Sequence, residues 1–261
     1  MADGPPSRDG LRLWAMVAAH AADRGGRVSV ADACAVAASA ARVSGAGLTM
    51  MTRTDSGRVV CVTDDVSARV EELQVTLGEG PCVDAYASRA PVLTSDLRGQ
   101  QALRRWPAFA PAAKEAGAAA VFAFPLQMGA VRLGVMDLYH REPRSLGSGE
   151  LRDALVLADT ATMLLLGGET GSDDFLGDAS SGLLSEREGY RAEIDQAMGM
   201  VSVQLGVNVD VAFLRLRAYA YAEDRSLTDV CRDVVARRLR FAADSDAEAG
   251  GDDGRAPGVG E

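Results

Sequence analysis

The chain of 261 residues is 48% hydrophobic and 25% charged, with a formal net charge of −10. At roughly 100–200 residues per domain this is material for one large domain or two modest ones, and the composition excludes a wholly disordered chain, a collagen and a small disulfide-stapled scaffold. No apolar run reaches the roughly 18 residues a membrane span needs, and Cys34, Cys61, Cys82 and Cys231, widely spaced and without a CxxC, make neither a disulfide framework nor a zinc site.

The chain opens on Met1-Ala2-Asp3-Gly4-Pro5-Pro6, acidic and proline-rich, without the basic and apolar regions of a signal peptide, so a cytoplasmic location is expected. Two alanine-rich helices follow over 11–23 and 32–43, separated by Gly25-Gly26, with Ser29 and Val30 in the cap region of the second. Runs of strand character over 47–53 and 58–63 join across Thr54-Asp55-Ser56-Gly57, a hairpin signal. Next come a helix over 66–77, a short helix over 83–88, a short strand over 91–94 and a short helix over 106–116. The two strongest strand patterns, 118–126 and 131–139, meet at a turn containing Gly129. An apolar helix over 150–166 closes an α+β layer, one antiparallel sheet with helices packed on it.

Residues 167–182 read GGETGSDDFLGDASSG, which places a flexible acidic linker over 168–185. Segment 169–185 carries four acids and no base, and 242–261 carries six acids against one arginine, so the excess negative charge gathers in the linker and in a disordered acidic tail. Between them, 186–241 carries nine charges of each sign, and repulsion by phosphate is no objection to nucleic-acid binding there. This stretch is helical throughout. Ile194, Ala197, Met198, Val201 and Leu205 form one apolar stripe that stops at Gly206. Asn208 caps a second helix striped by Ala212, Leu216, Tyr219 and Ala220, with Phe213 at its edge. Ser226 and Asp229 open a third, striped by Leu227, Val230, Cys231, Val234 and Leu239. Three stripes close a small bundle. The expected organisation is a first domain over 10–167, the linker, a helical domain over 186–241 and the tail over 242–261.

Catalytic constellations are thin. His20 and His140 fall on different elements, and neither a P-loop nor a G-x-G-x-x-G after a strand occurs. The glycine-rich run Leu77-Gly78-Glu79-Gly80-Pro81-Cys82 reads as a tight turn rather than an anion cradle, because Pro81 removes an amide donor. Cys82 precedes a short helix whose dipole would lower its pKa, although a small buried hydrophobe is the plainer role. Trp106, Pro107 and Phe109 suit core packing, with a ligand platform as the sharper reading. Arg215 and Arg217, about 200° apart around a helix axis, flank the second stripe of the bundle on opposite sides, and Arg191 precedes the first. Arg237, Arg238 and Arg240 suit compensation of the third helix's dipole.

These residues carry a resemblance. Leu73-Gln74, Leu77-Gly78-Glu79-Gly80-Pro81-Cys82-Val83-Asp84-Ala85, Val92, Asp96-Leu97, Trp106-Pro107, Phe109, Gly117, Phe124-Pro125-Leu126 and Leu133-Gly134-Val135-Met136-Asp137-Leu138-Tyr139 resemble the GAF sensor domains that bacteria couple to ANTAR output domains. Ile194-Asp195-Gln196-Ala197-Met198-Gly199-Met200 resembles the first ANTAR helix; Ala212-Phe213, Leu216-Arg217 and Ala220 resemble the second, and Leu227, Asp229-Val230 and Val234-Val235 the third.

The resemblance implies a regulator and not an enzyme. GAF domains bind small ligands or act as dimer scaffolds, and ANTAR domains bind paired stem-loops in leader RNA and so prevent a terminator hairpin. The residues expected at the RNA are Arg191, Gln196, Ala197, Met198, Gly199, Arg215, Arg217 and Ala220; those expected at a GAF ligand are Cys82, Trp106 and Phe109. No catalytic residue, metal, cofactor or membrane is expected, and the partners are structured RNA, a second copy of the chain, and a small-molecule or protein signal. The family usually has Lys where this chain has Met198, which removes a phosphate contact. The alternatives are a GAF-type methionine sulfoxide reductase using Cys61 and Cys82, and an interaction module without RNA binding.

Overall fold

Leu13, Val17 and Ala21, four apart, give helix α1 (Arg8–Arg24) its buried face. The computed structural model describes residues 8–51, 57–168, 183–223 and 225–242, and the side chains of 168 and 183–192 are left aside. A glycine pair ends α1, and Ser29 caps α2 (Val30–Ala40), where Asp32 accepts the Ser29 N–H at 2.8 Å. Asp32 is fully buried and also takes hydrogen bonds from Arg24 and His20, which knots α1 to α2. Burial alone would raise its pKa; the hydrogen bonds from Arg24, Ser29 and His20 outweigh that and hold it at about 2.

Strands β1 (Gly45–Met51) and β2 (Gly57–Val62) pair antiparallel, as the hairpin signal predicts, and positions 54–56 of the turn lie outside the described residues. Asp64 caps α3 (Asp65–Leu77), which ends on Gly78 in the left-handed conformation. Helix α4 starts at Pro81, in the first-turn position that proline favours, and runs over Pro81–Ser88, two residues earlier than expected. Strand β3 (Val92–Thr94) follows. The expected helix over 106–116 is the shorter α6 (Phe109–Glu115), and a helix without a sequence signal, α5 (Gln100–Arg105), precedes it. Pro107 disfavours helical backbone at Trp106, which sits at φ −135° between them. Strands β4 (Ala120–Met128) and β5 (Val131–His140) and helix α7 (Ser148–Gly168) complete the first unit.

The sheet order is β2-β1-β5-β4-β3, antiparallel throughout. Helices α1, α2 and α7 cover one face, with Leu48, Met136, Leu138 and Phe124 among the buried side chains. Helices α3 to α6 cover the other, over Val121, Val135 and Tyr139. Successive residues of β5 therefore alternate between two cores, and Asp137, two residues from Val135 and Tyr139, points to the α3–α6 side. This is the α+β architecture expected.

The chain divides into two compact units between Arg187 and Glu188. Positions 169–182 of the expected linker and 243–261 of the expected tail lie outside the described residues. The second unit is built from α8 (Leu183–Leu205), whose first turn precedes the boundary, α9 (Val209–Ala222) and α10 (Leu227–Val235). Asn208 Oδ1 accepts the Val211 N–H at 2.9 Å, and Ser226 Oγ accepts the Asp229 N–H at 3.0 Å, the two caps expected. Ala197, Val201, Ala212, Phe213, Leu216, Ala220, Leu227, Val230, Cys231 and Val234 are buried. Leu239, expected on the third stripe, lies beyond the end of α10 and is only half-buried. Among the described residues no single helix is long and apolar enough to cross a membrane.

Candidate functional site

Two places bear on function. The first is a polar cluster on the α3–α6 side of the sheet, inside the first unit. Thr49 on β1, Asp137 on β5, Glu71 and Gln74 on α3 and Cys82 on α4 are each no more than 2% exposed. Thr49 Oγ1 donates to Glu71 Oε2 at 2.6 Å. Gln74 works in two directions: its Nε2 donates to Asp137 Oδ2 at 3.1 Å, and its Oε1 accepts the Cys82 N–H at 2.7 Å. One oxygen of each carboxyl is thereby fixed, while Glu71 Oε1 and Asp137 Oδ1 are buried without a hydrogen-bond partner. One donor atom from each of Glu71, Cys82 and Asp137 lies within 4.8 Å of the other two.

The electrostatics follow from burial. Desolvation, then the charge of Asp137, hold the Glu71 carboxyl well above the usual carboxylate range. Desolvation also raises Asp137, against hydrogen bonds from Glu71, Cys82 and Gln74. The Cys82 thiol is pushed well above its ordinary value by burial first and by the two acids second. The helix dipole that would lower it loses to desolvation, so Cys82 is not an activated thiolate.

Trp106 and Phe109 belong to the same apolar cluster as Cys82 and are themselves buried, with their rings edge to face at a centroid distance of 6.4 Å. Trp106 Nε1 donates to Asp84 Oδ2 at 3.1 Å. The glycine-rich run is a tight turn: Glu79 Oε1 accepts the N–H groups of Ala108 and Phe109 at 2.6 and 2.7 Å, and the Cys82 amide an anion would use is taken by Gln74. Cys61 does not meet Cys82. It packs in the opposite core against Cys34, with the two sulfurs 2.7 Å apart.

Asp137 and Gln74 stand in the quoted motifs without a role legible there, and no motif contains Glu71 or Thr49. The signal was a carboxylate in the middle of the apolar strand Leu133–Tyr139, facing a helix that carries Glu71 and Gln74 beside Val70 and Leu73.

The second place is the surface of the three-helix unit. Gln196 and Arg215 are exposed, and Met198, Gly199 and Arg217 are half-buried, with the Arg217 guanidinium 5.7 Å from the Phe213 ring centre. Ala197 and Ala220 are fully buried, which corrects their expected place at the RNA: their methyl groups serve the unit's interior. Arg191 falls on α8, and its side chain lies outside the described residues. Among the arginines after α10, Arg238 pairs with Asp233, as does Arg225 from the preceding loop.

Residues 16–165 match the GAF domain family and residues 184–235 the ANTAR domain family. The chain is similar to the GAF domain of a phosphoenolpyruvate-protein phosphotransferase from Coxiella burnetii (12% identity, 62% of this chain and 96% of that one, TM-score 0.44). A GAF domain from the Acinetobacter phosphoenolpyruvate-protein phosphotransferase gives 9% identity over 61% of this chain and 96% of that one, with a TM-score of 0.42. The free methionine-R-sulfoxide reductase from Neisseria meningitidis gives 13% over 64% and 95%, with a TM-score of 0.41. No curated protein matches the chain.

Proposed function

Because the chain belongs to the GAF domain family and carries an ANTAR domain behind it, we propose that it is a cytoplasmic antitermination regulator whose C-terminal helices bind paired stem-loops in leader RNA. The observation that carries this reading is the ANTAR match over 184–235, which coincides with the three helices α8 to α10. We assign 10–167 to the sensor and 186–241 to the RNA-binding domain. The GAF unit acts as sensor and dimer scaffold, and no catalytic step is needed.

The chemistry of contact is electrostatic. Arg217 and Arg215 reach phosphate oxygens from the two sides of α9, while Gln196, Met198 and Gly199 line α8. Charge-assisted bonds to phosphate are stronger than neutral ones, and each displaced counterion makes affinity fall with salt. One domain binds modestly, because its formal charges cancel and Met198 supplies no cation. Arg217→Ala should weaken binding and lower the slope of log affinity against log salt by about 1, and Met198→Lys should tighten binding and raise the slope by about as much. Filter binding at two salt concentrations reads both; three proteins with the same slope would remove these side chains from the interface.

Dimerisation supplies the second domain. Leu11 and Trp14 on α1 and Leu155 and Met163 on α7 are 56, 44, 41 and 61% exposed, on helices joined by the Arg12–Asp153 ion pair at 2.7 Å. A second copy covering this apolar surface brings two RNA-binding domains to two stem-loops, where effective concentration offsets weak single contacts. Sedimentation should show a dimer at micromolar concentration and a monomer for Trp14→Asp. A monomeric wild type would contradict this arrangement.

A further inference from the structure

We infer that the first unit holds one divalent transition-metal ion of the zinc class, ligated by Glu71, Cys82 and Asp137. The inference is independent of the RNA reading, since it concerns the sensor unit alone. Its basis is convergence with matched vacancies in hydrogen bonding. Three potential ligands from α3, α4 and β5 bring their donor atoms within 4.8 Å of one another in a fully buried place. Each carboxyl has one oxygen held, Glu71 Oε2 by Thr49 and Asp137 Oδ2 by Gln74, and the other buried and unpartnered. Two ionised carboxylates cannot hydrogen-bond to each other; a proton on one of them or a cation must stand between.

The surrounding residues are arranged as outer-shell groups around a metal are, orienting ligands rather than neutralising them. Gln74 sets two ligands at once, through the Asp137 carboxylate and the Cys82 amide. Gly47 leaves room on the sheet side: a Cβ there would lie 2.5 Å from Glu71 Oε1. Charge points the same way. Among the ion pairs of the described residues, none places an arginine, lysine or histidine on Glu71 or Asp137.

A proton shared by the two carboxyls leaves the Cys82 thiol as a donor to Asp137 alone, whereas a cation would engage all three donor atoms at once. One thiolate with two carboxylates is too soft a set for magnesium or calcium, which take oxygen donors, and suits zinc. Three protein donors leave a fourth position for water or a small signal molecule.

The test uses the full chain, stripped with a chelator and then given Zn²⁺ or Co²⁺ without RNA. The expected result is about one metal ion per chain after gel filtration, with a sulfur-to-cobalt charge-transfer band in the near ultraviolet. That band should vanish in Cys82→Ser and persist in Cys34→Ser. Glu71→Gln and Asp137→Asn should lose the ion, and Thr49→Val, which removes only an orienting hydroxyl, should bind it about 10- to 100-fold more weakly. Circular dichroism checks that each variant folds, and Cys34→Ser with Thr49→Val keep the test decisive if an acid variant does not. No uptake by the wild type would overturn the inference and leave a proton shared between the two acids. Uptake unchanged by Cys82→Ser would place the ion elsewhere and overturn it equally.

Discussion

Replacing Phe213 by Ala is expected to unfold the three-helix unit and leave the first unit standing. Phe213 is 2% exposed on α9 and is the largest fully buried side chain among the described residues of its unit, whose other buried positions are mostly alanine, valine and leucine. Truncating a buried Phe costs about 3–5 kcal/mol, through lost transfer energy and the cavity left behind. A core from a domain of well under 70 residues rarely supplies more than about 3–5 kcal/mol, so the loss is comparable to the whole stability of the unit. The Arg217 guanidinium would lose the ring it lies over in the same step. Thermal unfolding followed by circular dichroism should show the helical signal of the second unit disappear while the transition of the sheet unit keeps its midpoint. A single cooperative transition moving as a whole would contradict independent units.

Gly134→Ala should be the most damaging small substitution in the sheet. Gly134 pairs with Met50 of β1 and with Leu126 of β4, so it is enclosed on both sides. A Cβ at this position would overlap the Thr49 carbonyl oxygen and lie 2.8 Å from Met50 Cα. Both neighbours are backbone, and neither can turn aside as a side chain can. The β1–β5 pairing must spread, at a cost of about 3 kcal/mol, typical of overpacking a tight interior. For a unit of this size that lowers Tm by roughly 10 °C. Because Thr49 orients Glu71, metal uptake should fall with it. A midpoint within 2–3 °C of the wild type, on the same scale, would show that β1 and β5 have slack here.

The sequence made the elements legible wherever local signals agree. Asn208 and Ser226 announce the starts of α9 and α10, and both caps form. Alternation placed β4 and β5, and the turn at Gly129 adopts the positive φ of 57° that a glycine accepts. Legibility failed where a tertiary partner decides. Gln100–Arg105 carries no apolar stripe, and the helix there was not expected; Trp106 ends it because Pro107 follows. The same limit applies to the polar cluster. Glu71 looks like one more acid beside Glu72, and only the packing of α3 on β1 and β5 shows that it is buried against Thr49 and Asp137. At Cys82 the helix dipole is the legible signal, whereas burial and two neighbouring acids set its state. Alanines tell the opposite story: Ala197 and Ala220 sit inside the family motif and so invite a place at the ligand, yet they fill the interior. A motif marks positions that matter without saying which of them face outward.

Binding of paired stem-loops by two copies of the helical domain is decided by one titration. The full chain is titrated against a leader RNA carrying two adjacent hairpins and, in parallel, against each hairpin alone, at low and at physiological salt. The expected result is binding to the paired RNA at least about 100-fold tighter than to either single hairpin, the gain that linkage of two weak contacts supplies, with affinity falling as salt rises. Equal and salt-independent binding to all three RNAs would contradict it, and the helical unit would then be a protein-interaction module.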